Sequence, residues 1–323
     1  MSARGGIDLG GTKIQTVIVD DRNEVLGEAK RETPTSGGPA DVAAEMITAL
    51  REAAEAAKVE TAELAGIGVG SPGDADEETG DVSGARNLPG WEGTFPLGEH
   101  LSKELGAQVR VGNDVQVAVD GEFHLGAGAE FKTMIGIWWG TGVGGGLVLD
   151  GRAWLGRGAA GEFGHTVVRR GGPKCSAGHE GCVEAYAGRM SMERRAREEA
   201  DSGEKTKLFE LMEKHDRERL TSGIWERALE HGDELAEKLI DRAERALGIG
   251  IASAVNLVDP EAVILGGGMG SRFADRSLPS ISEHMRPYLF APDEPPALRA
   301  AKLGDLGGAI GAALLVSDQR ATH

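Results

Sequence analysis

Hydrophobic and polar residues alternate over residues 4–32, and glycine or acidic turns interrupt the alternation twice. Apolar segments separated by a glycine turn and an acidic turn are typical of strands, so this segment predicts a meander of three antiparallel strands. A second segment rich in Val, Ile and Trp begins near residue 133 and repeats the order strand, Gly/Thr turn, strand. The pattern therefore predicts two related halves.

Strands and helices alternate in the pattern between and after these meanders. Short apolar runs predict strands at 65–73, 108–114 and 262–268. Apolar residues at helical spacing predict helices at 40–57, from 115, at 183–200, 206–214, 223–231, 233–256 and 307–317, and one after residue 268. This alternation predicts a layered α/β architecture.

The chain has 323 residues, more than the ~250–300 at which a single hydrophobic core stops growing. We therefore expect two α/β domains. The small domain would comprise residues 1–115 plus a C-terminal helix at about 306–323, and the large domain residues 116–305. The large domain would contain a Gly/Cys/His loop at 164–182 and a Gly cluster at 266–268.

Acidic residues outnumber basic residues by 52 to 35, which gives a formal net charge of −17. This charge disfavours a broad surface for nucleic acid. The sequence has neither a signal-peptide pattern at its amino terminus nor an uncharged apolar stretch of the ~18 residues that a membrane helix needs. We expect a cytoplasmic protein without a nucleic-acid or membrane partner. The charge-dense run 201–222 predicts a solvated surface segment rather than a binding site.

Glycine accounts for 50 of the 323 residues, about twice the usual ~7%. Its clusters predict turns where backbone approaches a ligand closely. The first turn contains Asp8, Gly10, Gly11, Thr12 and Lys13. It joins two strands, so it is neither a Walker loop nor a dinucleotide fingerprint, both of which need a following helix. Its N–H groups and hydroxyl suit a phosphate and Asp8 suits hydrated Mg²⁺, whereas the alternative is an ordinary glycine hairpin.

Two further glycine clusters strengthen the phosphate interpretation. The second meander contains a matching turn with Gly140, Thr141, Gly142 and Gly144. Two such turns could hold one polyphosphate from opposite sides. A third cluster, which includes Gly267 and Gly268, follows a predicted strand and would let backbone approach a nucleotide base or ribose.

Asn113 and Asp114 close a predicted strand and open a predicted helix. The structural interpretation is a helix cap, because Asn113 with Gln116 three residues later resembles a capping box. The functional interpretation is that the Asp114 carboxylate accepts a proton from a substrate hydroxyl as that hydroxyl attacks phosphorus.

Polar residues suited to a polyhydroxylated ligand occur at four other places: Asn87, Glu162, His165 and Glu184. Each alone is more often structural than catalytic. Together with the paired Gly/Thr turns, they make a sugar plus a nucleotide the simplest hypothesis. The two cysteines, Cys175 and Cys182, are too few for a disulfide scaffold and close enough in sequence to suggest a local metal site.

These motifs, in this order, resemble the ROK family (repressors, open reading frames, sugar kinases), and most closely its glucokinase-like members. The resemblance spans nearly the whole chain and is carried by IDLGGTKI at 7–14, GVGSPG at 68–73, RNLPGW at 86–91, VGND at 111–114, WGTGVGGG at 139–146, AGEFGH at 160–165, GCVEAYAG at 181–188 and ILGGG at 264–268. It implies the actin-like ATPase (ribonuclease H-like) fold, with two α/β domains, an interdomain active-site cleft and a homodimer or homotetramer.

The resemblance also implies an activity and residue roles. The activity would be transfer of the ATP γ-phosphate, with Mg²⁺, to the 6-hydroxyl of glucose. Asp114 would be the general base, the Gly/Thr turns would hold phosphates, and the sugar contacts would be Asn87, Asn113, Asp114, Glu162, His165 and Glu184. Alternatives within the family are another hexose or N-acetylhexosamine (fructose, mannose, N-acetylglucosamine or N-acetylmannosamine) as acceptor, and polyphosphate as donor.

One departure from the family concerns zinc. Its usual motif reads Cys-x-Cys-Gly-x-x-Gly-Cys, whereas this chain has Ala177 where the middle cysteine belongs. His179 lies two residues further on, so His165, Cys175, His179 and Cys182 would restore four N/S ligands for a structural Zn²⁺. The alternative is a loop that has lost its metal.

Two rival classes are less consistent with the sequence. A sugar-responsive repressor of this family, or another non-catalytic sugar-sensing regulator, would carry a helix-turn-helix ahead of the kinase-like part, whereas the first glycine turn begins by residue 8. An actin-like filament or chaperone ATPase would not need the NLPGW, ND and GEFGH motifs.

Overall fold

The computed structural model describes residues 2–317. The chain divides into two compact units. The first runs to Ala129 and resumes at Lys302, and the second is Glu130–Ala301. The boundary thus lies after Ala129 rather than after the expected residue 115. The reason is that the helix after Asp114 packs on the C-terminal helix, where a Cβ on Gly121 would lie 3.0 Å from the Gly311 Cα.

The strands are β1 (Arg4–Leu9), β2 (Lys13–Val19), β3 (Val25–Glu32), β4 (Ile67–Ser71), β5 (Asp74–Ala75), β6 (Val82–Ser83), β7 (Thr94–Phe95), β8 (Val109–Asn113), β9 (Met134–Trp139), β10 (Val143–Leu149), β11 (Arg152–Ala153), β12 (Ala262–Gly266) and β13 (Ala297–Ala300). They form two five-stranded sheets and one three-stranded sheet.

The α-helices are α1 (Pro39–Ala57), α2 (Leu97–Leu105), α3 (Asp114–Leu125), α4 (Val183–Ala187), α5 (Arg189–Asp201), α6 (Leu208–Lys214), α7 (Ser222–Glu230), α8 (Glu234–Val258), α9 (Gly267–Gly270), α10 (Ala274–Met285) and α11 (Gly307–Leu314). Short 3₁₀ turns occur at Thr61–Glu63, Phe163–His165, Arg286–Tyr288 and Gly304–Leu306. No helix of the described residues is long and apolar enough to cross a membrane.

The sheet of the first unit has the order β3-β2-β1-β4-β8. The strands β1, β2 and β3 form the predicted antiparallel meander, and β4 and β8 run parallel to β1. One face of this sheet packs on α1, where Met46 and Leu50 contribute to the core with Ile7 and Ile18. This helix begins at Pro39, whose fixed φ suits the first turn, and ends where Lys58 adopts a left-handed conformation.

The other face of the same sheet packs on α11, which comes from the far end of the chain. The packing is backbone to backbone: a Cβ on Gly6 would lie 2.0 Å from the Ala309 carbonyl oxygen, and one on Gly68 would lie 1.7 Å from that of Ala312. Glycine in β1 and β4 therefore allows an approach that no side chain would permit. The described part of this helix confirms the prediction from residue 307, while residues 318–323 of the expected C-terminal segment lie outside the described residues.

The sheet of the second unit has the order β11-β10-β9-β12-β13. The strands β9 and β10 pair antiparallel with Gly145 opposite Ile137, and β12 runs parallel to β9. Buried side chains of this sheet, including Trp139 and Leu265, pack with Trp225 of α7 and Leu247 of α8 in one large core. The second meander therefore repeats the first, as the sequence pattern predicts.

The structure differs from the predicted elements in three places. The segment expected to be a loop up to residue 100 contains α2 and a small antiparallel sheet, β5-β6-β7. The helix expected at 183–200 is two helices, because Gly188 has an extended backbone with φ −56 and ψ 128. The strand β13 has no counterpart in the prediction.

Candidate active site

The first glycine turn joins β1 to β2 and is closed by the Gly10 amide, which donates to the Lys13 carbonyl at 2.9 Å. Thr33 braces this turn at two points. Its hydroxyl donates to the Gly10 carbonyl at 2.7 Å, and its amide donates to the Thr12 carbonyl at 3.2 Å. These hydrogen bonds fix the backbone around Gly11, which is exposed.

Asp8 lies at the start of this turn and is half-buried. Its carboxylate faces the first turn of α11, since a Cβ on Gly308 would lie 2.6 Å from Asp8 Oδ2. Burial raises the pKa of Asp8 to about 6, and the positive charge of Lys13 opposes this rise. Lys13 in turn lies 3.8 Å from the exposed carboxylate of Asp305.

Asn87 lies against the first turn. A Cβ on Gly11 would be 3.0 Å from Asn87 Nδ2 and 3.4 Å from its carbonyl oxygen. The loop that carries Asn87 is anchored by Trp91, whose indole N–H donates to the Val82 carbonyl at 3.1 Å. The structure thus brings a residue predicted to contact sugar next to a turn predicted to hold phosphate.

Asn113 and Asp114 lie where β8 ends and α3 begins. Asn113 Oδ1 accepts hydrogen bonds from the amides of Val115 and Gln116, both at 3.1 Å, so Asn113 is the helix cap. Its Nδ2 donates to the Gly73 carbonyl at 3.4 Å. Asp114 is half-buried, and its Oδ1 accepts from the Val115 amide at 2.9 Å. The cap and the candidate base are therefore two different residues.

The second glycine turn joins β9 to β10. The Gly140 amide donates to the Gly142 carbonyl at 2.9 Å. The start of α5 holds the turn from the other side, since the amides of Arg189 and Met190 donate to the carbonyls of Gly140 and Thr141, each at 3.1 Å. Gly144 follows in β10, opposite Trp138.

Arg189, the first residue of α5, contacts this turn and was missed from the sequence. Its guanidinium donates through Nη2 to Thr141 Oγ1 at 3.0 Å and through Nη1 to the Leu220 carbonyl at 2.9 Å. Burial lowers the pKa of Arg189, while the nearby Glu193 carboxylate opposes that change. The available signal was its position directly after the GCVEAYAG motif.

Glu184 lies against the second turn as Asn87 lies against the first. Its Oε2 accepts from the Val143 amide at 3.2 Å, and a Cβ on Gly142 would be 2.4 Å from that oxygen. Its Oε1 accepts from the Ser176 hydroxyl at 2.8 Å. Glu184 therefore connects the glycine turn to the Gly/Cys/His loop.

The third glycine cluster follows β12. Gly267 adopts a φ of +82, and a Cβ there would lie 2.6 Å from the Trp139 carbonyl oxygen. Gly268 has open space where its Cβ would be, and its amide nitrogen lies 3.9 Å from the position of a Cβ on Gly140. The structure brings the second and third clusters together within one unit.

The Gly/Cys/His loop gathers three of the four predicted metal ligands. His165, Cys175 and His179 have ligand atoms that all lie within 4.8 Å of one another. The Nδ1 atoms of the two histidines are 3.2 Å apart, and Cys175 Sγ is 3.9 Å from His165 Nδ1. Cys182 is outside this group; it is fully buried in a small apolar cluster with Cys175, and burial raises the pKa of its thiol to about 11.

Glu162 is exposed just before this loop, with its Oε2 3.9 Å from His165 Nε2. The predicted residues thus fall into two sets. Asp8, the first turn, Asn87, Asn113 and Asp114 belong to the first unit. The second and third glycine clusters, Glu162, His165, Glu184 and the cysteines belong to the second.

Known proteins match nearly the whole chain. A curated glucokinase from Halalkalibacterium halodurans is 34% identical over 317 residues, 97% of this chain and 94% of that protein. An N-acetylgalactosamine kinase from Shewanella is 31% identical over 96% of this chain and 95% of that protein.

Among solved structures, a ROK family glucokinase from Streptomyces griseus in complex with glucose and AMPPNP is 32% identical, with a TM-score of 0.83 over 97% of this chain and 99% of that one. This likeness confirms the actin-like ATPase fold that the sequence motifs imply. The ROK family model matches residues 4–319, and the chain belongs to the ROK family.

Proposed function

We propose that this protein is an ATP-dependent glucokinase. The observation that carries the proposal is the same in both units: each Gly/Thr turn lies directly against a side chain suited to sugar hydroxyls. Asn87 lies beside Gly11, and Glu184 lies beside Gly142. A turn that offers amides to phosphate beside a hydroxyl-binding side chain suits the transfer of a phosphoryl group to a sugar.

The names of the relatives support glucose as the acceptor. The proteins that match at 34% identity over most of their length are glucokinases. N-acetylhexosamine kinases also match, at 31% identity, and keep an amino sugar as the second candidate acceptor.

Asp114 is the proposed general base. As the 6-hydroxyl attacks the γ-phosphorus, the Asp114 carboxylate accepts the hydroxyl proton, the new O–P bond forms, and ADP leaves. Asn113 caps α3, so Asp114 can act as the base while the helix keeps its cap. Asn87, Asn113, Glu162, His165 and Glu184 would fix the sugar hydroxyls, so that positioning contributes much of the rate.

Asp8 is the proposed residue for Mg²⁺. Its half-buried carboxylate next to the phosphate turn, with a pKa raised by burial, is a group that a cation would stabilise. When bound, Mg²⁺ supplies neutralisation of the charge on the phosphate oxygens. The chain itself supplies the amides of Gly11 and Thr12 and the hydroxyl of Thr141.

The loop donors fit a zinc ion in part. Zinc ligands lie about 2.0–2.3 Å from the ion in a tetrahedron, which puts neighbouring donors roughly 3.3–3.8 Å apart. The separations of 3.2 and 3.9 Å among His165, His179 and Cys175 are close to that spacing. Cys182 is retained as the proposed fourth ligand because it lies beside Cys175. Since Ser176 holds Glu184, a metal here would fix a sugar-contacting side chain.

Elemental analysis of protein purified without a metal-affinity tag tests the zinc proposal. We expect about one zinc per chain, and little in a His179→Ala variant. Zinc near zero in the unaltered protein, with calorimetric glucose binding intact, would establish the metal-free loop.

The decisive experiment for function is a panel of sugars with MgATP and with polyphosphate. We expect glucose 6-phosphate from glucose, and a turnover in Asp114→Asn that is lower by ~10²–10⁴. Asp74→Asn, an exposed acidic residue of β5, is the control and should keep full turnover. Activity on an amino sugar with none on glucose would contradict glucose as the acceptor, and the proposal of a sugar kinase would stand.

We propose that the protein is cytoplasmic and forms a homodimer or homotetramer. Both cysteines are free thiols, which suits a reducing compartment. The side chain of Asn256 bonds to the backbone of Tyr288 and Phe290, and Leu257, Tyr288 and Phe290 are exposed there by 87%, 57% and 94%. Apolar side chains grouped in this way suit a subunit contact. Light scattering of the purified protein gives the oligomeric state.

A further inference from the structure

The side chain of Glu122, near the end of α3, is buried in the first unit, and the residue is 2% exposed. Within residues 2–317, every hydrogen bond that its carboxylate accepts comes from a backbone amide, and no cationic side chain forms an ion pair with it. Burying a charge is costly unless hydrogen bonds compensate for the lost hydration. The positions of those amides therefore indicate what Glu122 does.

The chain leaves the first unit after Ala129, through a turn built on Glu122. Glu122 Oε2 accepts from the Ala127 amide at 2.8 Å, and the Glu122 carbonyl accepts from the amides of Gly126 and Gly128 at 3.1 and 2.9 Å. A Cβ on Gly126 would lie 2.0 Å from Glu122 Oε2, so glycine leaves the room that the carboxylate occupies. The backbone that leads out of the first unit is thus fixed to the end of α3.

The chain returns to the first unit at Lys302, and the same carboxylate holds it there. The Lys302 amide donates to Glu122 Oε1 at 2.9 Å and to Oε2 at 3.0 Å, and the Leu303 amide donates to Oε1 at 2.8 Å. The preceding residue is held by the second unit, since the Ala301 amide donates to the Leu265 carbonyl of β12 at 2.9 Å. The return passage is therefore the single peptide step from Ala301 to Lys302.

The outward passage is two residues longer. On the side of the second unit, Glu261 Oε2 accepts from the amides of Lys132 and Thr133 at 2.6 and 2.9 Å. Before them, the amides of Glu130 and Phe131 donate to no acceptor in the described part of the chain. The backbone of the outward passage is thus fixed by a carboxylate at each end and unheld at two residues between.

The helix α3 connects these passages to the proposed base. Asp114 is its first residue, and Glu122 follows eight residues later, about 12 Å along the axis at ~1.5 Å per residue. The helix packs closely on α11, because a Cβ on Gly311 would lie 2.0 Å from the Val117 carbonyl oxygen. One rigid helix therefore carries the candidate base at one end and both passages at the other.

We propose that Glu122 is a positioning residue that clamps both passages to α3, so that rotation between the two units is confined to Glu130–Phe131 and to the Ala301–Lys302 step. Hinges are a few residues that absorb changes of φ and ψ, and these are the residues that the clamp leaves free. A carboxylate suits this role because both of its oxygens accept. Glutamine of the same size would turn an NH₂ group toward amide donors.

Pulsed electron paramagnetic resonance on the full chain without ligand tests the clamp. Spin labels at Glu55→Cys of α1 and Glu213→Cys of α6 lie on exposed positions of different units, and both native cysteines are buried. The variant is Glu122→Gln. The matched control is Glu244→Gln, since Glu244 is also 2% exposed and accepts from the Ser277 hydroxyl, away from both passages. We expect the distance distribution to broaden about twofold in Glu122→Gln and to stay within about 1.2-fold in the control.

Urea unfolding of the same proteins separates positioning from general destabilisation. Both glutamine variants should lose stability, whereas only Glu122→Gln should broaden the distribution. Glu122→Asp keeps both oxygens on a side chain one methylene shorter and should broaden it less than Glu122→Gln. It also decides the test if circular dichroism shows that Glu122→Gln does not fold. A width no greater than that of Glu244→Gln in the folded Glu122 variants overturns the proposal.

A second readout rests on the proposed function. Calorimetry gives the ratio of glucose affinities with and without AMPPNP, which measures the coupling between ligands of the two units. We expect Glu122→Gln to reduce this ratio about threefold or more, with Glu244→Gln unchanged. A reduced ratio without broadening would overturn the clamp. Broadening in Glu122→Gln with no binding of glucose or AMPPNP by the unaltered protein would refute the proposed function and leave the role of Glu122 standing.

Discussion

The two glycine turns have a similar backbone arrangement and differ in the charge of the side chains beside them. Each joins antiparallel strands, each is closed by an amide-to-carbonyl bond of 2.9 Å, and each lies against a side chain suited to sugar. The first turn carries an acid, Asp8, and is braced by the neutral side chain of Thr33. The second has no acid at the equivalent position and is braced by the guanidinium of Arg189.

This difference indicates that the backbone conformation of the hairpin does not determine which chemical group of a ligand binds at the turn. The backbone amides are alike, and the neighbouring elements supply the charge. An acid at the first turn suits a cation that accompanies phosphate, whereas an arginine at the second suits phosphate directly.

The largest effect that separates the two turns is expected from Asp8→Asn. Asparagine keeps the size of the side chain but removes the charge, so turnover with MgATP should fall by roughly 10²–10³. The Mg²⁺ concentration at half-maximal rate should rise as well. Asp305→Asn, which alters an exposed acid near the same turn, is the control. If the rate depends on the Mg²⁺ concentration in the same way in Asp8→Asn and in the unaltered protein, Asp8 does not bind Mg²⁺.

Arg189→Ala should give the next largest effect. It removes two hydrogen bonds from a half-buried guanidinium, so the KM for ATP should rise about 10–100-fold while the KM for glucose changes less. Arg189→Lys should recover part of this loss because the charge remains. Arg195→Ala, on the surface of the same helix, serves as control. Equal rises of the two KM values would mean that Arg189 only stabilises the unit.

Alanine at the turn glycines compares the two sugar contacts. A Cβ would lie 2.4 Å from Glu184 Oε2 at Gly142 but 3.0 Å from Asn87 Nδ2 at Gly11. Gly142→Ala should therefore raise the KM for glucose about tenfold and Gly11→Ala about threefold, since small misplacements of substrate are costly. Gly93→Ala, where the Cβ meets nothing within 4 Å, is the control. The reverse order would contradict the contact geometry.

The smallest effect concerns pH. Because the pKa of Asp8 is about 6 in the folded state and its ordinary value is 3.8, the folded state binds more protons than the unfolded state at pH values between these two. Its contribution to stability is therefore full below about pH 4 and is lost as pH rises through 6. Compared with Asp8→Asn in chelator, the unaltered protein should lose roughly 1–3 kcal/mol more between pH 4 and 7. If the free energies of unfolding of the two proteins, measured with urea, change equally between pH 4 and 7, the raised pKa of Asp8 is refuted.

Much of the fold was predictable because the strands of the two meanders are apolar runs joined by glycine turns. The small sheet β5-β6-β7 was not, since strands of two residues carry no periodicity. The break at Gly188 was also missed, because an isolated glycine in a helical pattern does not by itself end a helix.

The candidate site was predictable wherever one motif contains the residues that act together. Asn113 and Asp114 are adjacent in sequence, and both side chains accept from the Val115 amide. Arg189 reaches a hydroxyl 48 positions away, and local pattern carries no information about such a contact. The metal loop shows the same limit: the resemblance to the family's zinc motif suggests four ligands, and folding gathers three of them into one group.

The helix α11 has a consequence for biosynthesis. A ribosome delivers the chain from its amino end, and domains generally fold as they emerge. Every residue of Glu130–Ala301 leaves the ribosome before Lys302, so the second unit can fold while the first still lacks its last helix. Until then Val17 and Val19 lack their partners Ala309 and Ala313, and the glycine-lined face of β1 and β4 stays bare. The unit that is translated first is completed last, and a transcript that ends before the codon for Gly307 would leave an apolar sheet open to proteolysis.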